Sequence, residues 1–383
     1  MVSERARAVD SFIAMDVLER AGEMDDVVHL EVGEPDFDPP ERVFDAAVDS
    51  LRGGNTGYTA ARGKPELRRA IAARYDREYG VTVDPERVLV TPGSSPALWL
   101  SLAALVDPGE EVVLTDPGYA CYPNFVRLVG GRVRRVPLRA DDGFRPRIGE
   151  FAAATGERTR AVLVNSPANP TGTVLRGDAL ADLVAVTERA GATVVSDEIY
   201  HGLSYGVTDH TVLEYTDDAV VLDGFSKRFG MTGWRLGWVV VPPDYVDAMN
   251  RLAQNALICA PNFVQDAGLA ALQADAGDDR LARVRETYRE RRDTLLDAVA
   301  DWGLDPGYVP DGAYYLLADV SDLPGDAVEV ADLFLREAGV AVTPGVDFGE
   351  RASDYVRLSY ATDAAAIAEA ADRIGDLLAT VER

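Results

Sequence analysis

Lys227 lies in the stretch from Asp223 to Trp238, which reads Asp-Gly-Phe-Ser-Lys-Arg-Phe-Gly-Met-Thr-Gly-Trp-Arg-Leu-Gly-Trp. It is one of two lysines, with Lys64, among 38 Lys and Arg residues in a chain of 383. Arginine stays charged and cannot serve as an amine nucleophile. A lysine amine can condense with an aldehyde to give a Schiff base. Arg235, further along the same stretch, offers the forked donor that suits a phosphate. An aldehyde and a phosphate on one small molecule describe pyridoxal phosphate. Taken alone, the stretch reads more simply as a solvated Lys-Arg pair in a glycine-rich loop.

Other chemistry-bearing residues follow short apolar runs. Ser94 and Ser95 come after Val88-Leu89-Val90 and before a helical pattern from Pro96 to Ala104. Free amides and hydroxyls at a helix start suit a phosphate, though a serine there can also be a plain N-cap. Asn169 lies in Asn-Pro-Thr-Gly after the run Ala161 to Val164, and Tyr119 follows Val112 to Leu114. Asp197 and Tyr200, in Asp-Glu-Ile-Tyr, follow Thr193 to Val195. A carboxylate there can pair with a protonated ring nitrogen or cap a helix. Arg357 is a charge set in the apolar run Tyr355 to Tyr360. Such a charge needs a partner, either a structural carboxylate or a bound anion. Gly33 permits close backbone approach to a ligand or simply turns the chain. Tyr58 sits in a polar loop from Gly53 to Gly63, and Lys64 is expected to be solvated near the next helix start.

Buried β-branched runs alternating with helical patterns argue for a parallel or mixed α/β sheet. Open sheets of this kind bind ligands just beyond the strand ends, where these candidates fall. The glycine fingerprint for dinucleotides is absent after these strands. From Gly307 onward, strands near Tyr314 to Ala318, Val340 to Val342 and Val356 to Leu358 mix with helices, as in a smaller α+β unit. The expected division is 1–50 as an N-terminal segment packing with the small domain, 51–275 as the large domain and 276–383 as the small domain.

Composition narrows the functional classes. The net charge is −26, which opposes nucleic-acid binding and association with anionic membranes. No apolar run is long enough to span a bilayer. The start of the chain lacks a signal-peptide apolar region, and two cysteines are too few for a disulfide framework. A cytoplasmic protein is expected. The acid excess with almost no lysine points to adaptation to a salt-rich cytoplasm. A codon bias toward arginine accounts for the lysine deficit but not for the acids.

The ordered set Ser-Lys-x-Phe-x-Met-Thr-Gly-Trp-Arg-x-Gly, Asn-Pro-Thr-Gly and Asp-Glu-x-Tyr resembles the class I/II aminotransferases of fold type I, with matches from Gly33 to Arg357. The resemblance implies a pyridoxal 5'-phosphate enzyme with a large α/β domain, a mostly parallel sheet and a smaller α+β domain. It implies that Lys227 bonds the cofactor and moves the proton, and that Asp197 holds the ring nitrogen protonated. Tyr200 and Asn169 would bond the ring hydroxyl side, and Tyr119 would stack on the ring. Ser94, Ser95 and Arg235 would hold the phosphate, with Tyr58 reaching it from the partner of a homodimer. Arg357 would clamp the substrate carboxylate, aided by Asn169 and the Gly33 backbone. Many relatives carry a serine three residues before the lysine; this chain has Gly224. The implied reaction moves an amino group from an L-amino acid to a 2-oxo acid, centrally 2-oxoglutarate. A lyase on the same fold, such as a C–S β-lyase, is the rival, and a non-catalytic regulator the more distant one. Ser95 stands where some aspartate-specific relatives carry a lysine, which weakens a dicarboxylate preference. Phe12, Tyr122 and Phe348 are candidates for an apolar side-chain pocket or for core.

Overall fold

The computed structural model describes residues 2–276 and 279–381. Strands in chain order are β1 (Val28–His29), β2 (Val88–Thr91), β3 (Glu111–Asp116), β4 (Arg132–Pro137), β5 (Thr159–Asn165), β6 (Thr193–Asp197), β7 (Val220–Gly224), β8 (Gly237–Val240), β9 (Tyr315–Asp319), β10 (Val340–Ala341), β11 (Thr343–Pro344) and β12 (Tyr355–Ser359). Seven of them form one sheet in the order β2-β8-β7-β6-β5-β3-β4. β3 to β7 run parallel, and β8 lies antiparallel to both β2 and β7.

Both faces of this sheet are covered at its centre, so its inner strands are mainly buried and apolar rather than alternating, while the edge strand β4 carries three exposed or half-exposed arginines. Val88 and Val90 face a layer holding Leu67, Ile71 and Tyr75 of the helix Pro65–Tyr79. Leu89 between them faces the other layer, with Leu98 and Leu102 of the helix Ser94–Leu105. The helix Pro65–Tyr79 starts on a proline, whose missing N–H costs nothing in the first turn. It stops at Gly80, in the left-handed region at φ +68°, a usual helix terminator.

A three-stranded antiparallel sheet, β11-β12-β9, stands apart. It packs with Tyr288, Leu295 and Val299 of the long helix Arg280–Asp301 and with Ile367 and Ile374 of the helix Ala364–Leu378. β1 joins this side by pairing in parallel with β10. β1 is shorter than the mostly apolar run from Val27 to Val32 that contains it, because the far end of that run is used differently. The carbonyl of Glu31 accepts from the side chains of Arg357 and Thr343 instead of from a strand.

Two expectations need correction. Within the 1–50 segment, Val43 and Ala47 of the helix Glu41–Arg52 pack into the core of the large sheet, not the small one. Lys64 is not free in solvent: its Nζ lies 2.6 Å from Asp266 Oδ1, tying the start of one helix to the helix Asn262–Asp275.

Candidate active site

The C-terminal ends of β2, β3, β5, β6 and β7 point toward one cavity of about 370 Å³. Its lining brings together Gly33, Ser94, Ser95, Tyr119, Asn169, Asp197, Tyr200, Lys227, Arg235 and Arg357. Residues more than 300 positions apart in the chain thus meet in one space. Tyr58 does not: it is 83% exposed and does not line the cavity within a single chain.

The loop after β7 that carries Lys227 is anchored on both sides of the lysine. Phe225 and Phe229 are buried in the large core. Arg228 makes bonds of 2.7 and 3.0 Å to Glu78 and 2.6 Å to Asp275. Lys227 Nζ is thereby held over the site, donating at 2.5 Å to the carbonyl of Gly33. The rings of Tyr200 and Tyr314 lie 5.8 and 5.9 Å from the amine. Burial lowers the Lys227 pKa to about 8, reinforced by Arg357 and Arg235 and opposed by Glu34 and Asp197. A depressed amine is the form a nucleophilic lysine needs.

Asp197 ends β6, and no helix follows it, so it is not a helix cap. Its Oδ2 accepts from Tyr122 at 2.7 Å and its Oδ1 from the Ile199 amide at 3.2 Å. Burial raises its pKa to about 6, against the pull of these two bonds. Asn165 Nδ2 donates to the Asp197 carbonyl at 2.9 Å and its Oδ1 accepts from the Asn169 amide at 2.8 Å. The ends of β5 and β6 are thus fixed to each other. Tyr119 stands edge-on to Tyr122 and to Phe12, with centroids 5.3 and 6.0 Å away.

The helix Ser94–Leu105 begins inside the cavity, two residues earlier than its apolar pattern indicates. Its first amides lack intrahelical partners and carry the positive end of the helix dipole. Gly93 before it has φ +97°, and a Cβ there would lie 2.5 Å from Arg235 Nη2. The guanidinium therefore rests directly on the helix entrance. Arg235 itself holds φ +54°, unusual for a residue with a side chain, and its Nη1 bonds the Thr232 carbonyl at 2.9 Å. Serine hydroxyls, free amides and a forked cation converge there, as an anion requires. Gly224 contributes nothing to this cradle. A Cβ on it would meet Gly237 Cα at 3.1 Å, so the backbone is packed tightly against β8. Ser226 does line the cavity.

Arg357 is 3% exposed. Its guanidinium bonds Asn169 Oδ1 at 3.0 Å, the Glu31 carbonyl and Thr343 Oγ1 at 3.3 Å. It lies between the rings of Tyr315 and Phe348, 4.5 and 4.8 Å from their centroids. Among the described residues its hydrogen-bond partners are amide, carbonyl and hydroxyl oxygens with no carboxylate among them, and its Nε is buried without a hydrogen-bond partner. A buried cation without an anion is costly, and this one lines a cavity.

Sequence reasoning missed several participants. Tyr315 bonds Tyr200 at 2.9 Å and stacks on Arg357. Tyr122, weighed only as pocket or core, is the donor to Asp197. Phe348 lies under Arg357 rather than in the cavity wall. Met15, Leu18, Glu31, Glu34 and Thr232 also line the space. The one signal that could have found some of them is Tyr122 lying one helical turn after Tyr119 at a strand end.

The profile of the family aminotransferase class I and II matches residues 25–374. The chain is similar to the valine–pyruvate aminotransferase of Mycobacterium tuberculosis, 39% identical over 97% of each chain. It is also similar to the aspartate/prephenate aminotransferase of Thermus thermophilus, 39% identical over 92% of this chain and 91% of that one. Among solved structures, the aspartate aminotransferase from Thermus thermophilus with maleate superposes with a TM-score of 0.95. It is 37% identical and covers 98% of this chain and 99% of the other. The match runs through both sheets and every strand end described above, and the chain belongs to the class I and II aminotransferases.

Proposed function

We propose that this protein transfers the amino group of an L-amino acid to a 2-oxo acid, using pyridoxal 5'-phosphate held in the cavity. One observation carries the reading: the depressed amine of Lys227, the buried carboxylate of Asp197 and the carboxylate-free guanidinium of Arg357 line the same space. The donor set fits the cofactor. Ser94, Ser95, the first amides of their helix and Arg235 would hold its phosphate. Asp197 would face its ring nitrogen, Tyr200 and Asn169 its hydroxyl, and Tyr119 its ring face. When bound, the cofactor supplies an aldehyde for the lysine and a conjugated ring that takes up the electron pair released at the substrate Cα.

The chain's own groups do the rest. Arg357 binds the substrate α-carboxylate with two parallel bonds, oriented by the Asn169 oxygen and the flanking rings. Asp197, braced by Tyr122, offers negative charge where a protonated ring nitrogen is stabilised. Lys227 Nζ, lowered to about pKa 8, would take the proton from the substrate Cα and deliver it to the former aldehyde carbon of the cofactor, which asks for a group that changes charge near the working pH. The Gly33 carbonyl and the ring of Tyr200 fix where that amine sits.

The reading includes a homodimer. Phe44, Val48 and Leu51 form an exposed apolar stripe on the helix Glu41–Arg52, beside the loop with exposed Tyr58. A stripe of this kind on a soluble chain marks an interaction surface, and a two-fold pair is the commonest use. Tyr58 would then reach the partner's phosphate cradle. The test is a cofactor titration followed by a half-reaction. The protein mixed with pyridoxal phosphate should gain a visible absorbance that an amino acid converts to that of the amine form. Absence of stoichiometric binding would refute the assignment.

A further inference from the structure

Once the cofactor groups and Arg357 are assigned, the rest of the cavity wall is mainly apolar. Phe12, Ala14, Met15 and Leu18 enter from the N-terminal side, together with Val32. Three of these belong to the helix Ile13–Gly22, and Phe12 is its N-cap. The helix is docked by Asp347, whose two oxygens accept from the Ile13 and Ala14 amides at 3.1 and 3.2 Å. The apolar face is therefore held in place rather than hanging at a chain end.

Charges in the same lining are unequal. Its cations are Lys227, Arg235 and Arg357, each already committed to the amine, the phosphate or the α-carboxylate. Its remaining charged groups are Glu31 and Glu34. Glu31 is 1% exposed; its Oε1 lies 2.7 Å from His29 Nδ1, and its Oε2 has no hydrogen-bond partner. A second carboxylate on the substrate would lose its hydration, find no spare cation among this chain's lining residues and share the lining with the Glu34 carboxylate.

Resting on the aminotransferase reading, we propose that the protein selects amino acids and 2-oxo acids with one carboxylate and an uncharged apolar side chain. The helix Ile13–Gly22 supplies the selecting wall. Shape and burial reward the aliphatic or aromatic side chain, while the unmatched charge rejects dicarboxylates. This separates the chain from the solved relative whose structure was determined with maleate, a dicarboxylate, despite their shared fold.

The experiment compares the cofactor-loaded enzyme with leucine, phenylalanine, alanine, aspartate, glutamate and arginine as donors. Inhibitor affinities for 4-methylpentanoate and maleate are measured by calorimetry. Leucine and phenylalanine should exceed aspartate and glutamate in kcat/KM by at least about 30-fold, the scale of leaving a buried charge unpaired. 4-Methylpentanoate should bind more tightly than maleate. Met15→Arg, at a position 53% exposed, should raise aspartate relative to leucine by about tenfold. Aspartate or glutamate matching leucine overturns the proposal. Preference for arginine also overturns it and transfers selection to Glu31 and Glu34. If no donor reacts, alanine included, the aminotransferase reading fails, and the two inhibitor affinities still decide the wall's preference.

Discussion

The Tyr122 hydroxyl donates to Asp197 Oδ2 at 2.7 Å, and both groups are buried at the end of the same sheet. The bond stabilises the ionised carboxylate against burial, which has already raised its pKa to about 6. Tyr122→Phe should raise it further, so in ligand-free protein the carboxylate should titrate at higher pH than in wild type. Asp197→Ala should fold and bind some cofactor but lose roughly 100-fold or more in rate, the usual cost of a missing electrostatic stabiliser. Turnover close to wild type in Asp197→Ala would show that the carboxylate is only structural.

The same shift has a sign for stability. Asp197 has an ordinary pKa of 3.8 and a folded value near 6, so between those values the folded protein holds more of its proton. Its stabilising contribution is present below about pH 4 and is lost as the pH rises through about 6. In ligand-free protein, Asp197→Asn should therefore gain melting temperature relative to wild type across that window. Parallel melting curves for the two proteins from pH 4 to 7 would contradict the raised value.

Lys227 gives the opposite titration. Its amine is neutral above about pH 8 in the folded, ligand-free site, and the neutral form attacks an aldehyde. Cofactor uptake by the apo-protein should be half-maximal near pH 8 and slow below it. Borohydride reduction and peptide mapping should place the pyridoxyl label on Lys227. Lys227→Ala should carry no label and show no turnover while remaining folded. A label on Lys64 would sink the assignment, since that amine is engaged with Asp266.

Much of the site was legible because it follows a topological rule. Asn169, Asp197 and Lys227 come just after short apolar runs, and the ends of those runs meet at one edge of a parallel sheet. Arg357 was legible as an energetic anomaly, a charge in an apolar strand. Its surroundings were not. The Glu31 carbonyl and the rings of Tyr315 and Phe348 reach it through long-range contacts between residues that resemble ordinary core. The same holds for Tyr122, whose hydroxyl finds Asp197 across 75 positions. The apolar wall of Phe12, Met15 and Leu18 was partly hidden for another reason. An amphipathic helix displays an apolar face whether it packs on core or on a cavity, and only the tertiary placement distinguishes them. Lys64 shows the converse, because a lysine beside a helix start carries no sequence sign of its partner on a helix 202 positions later.

The formal net charge of −26 predicts a salt response. Exposed pairs such as Arg69–Glu66, 61% and 59% exposed, contribute about 1 kcal/mol or less each and weaken in salt. Self-repulsion among the excess acids is collective, and salt relieves it. We expect the second effect to win, so the melting temperature should rise between dilute buffer and molar KCl. A flat or falling melting temperature would leave codon bias as the account of the scarce lysines.

Arg357→Lys tests the substrate clamp. Every α-amino acid and 2-oxo acid presents the same α-carboxylate, so one fixed cation can serve both halves of the cycle. The guanidinium meets that need with two parallel donors whose plane is set by Tyr315 and Phe348 at 4.5 and 4.8 Å. A lysine reproduces the charge but neither the fork nor the stacking. Losing a buried charged pair costs on the order of 2–5 kcal/mol, so use of donor and acceptor should fall together by roughly 30-fold or more. The phosphate cradle at Ser94, Ser95 and Arg235 lies elsewhere in the cavity, so cofactor content should not change. Steady-state kinetics with one amino acid and one 2-oxo acid, run beside a cofactor titration, separate the possibilities. Loss of cofactor with unchanged substrate constants would make Arg357 structural and place the carboxylate site elsewhere.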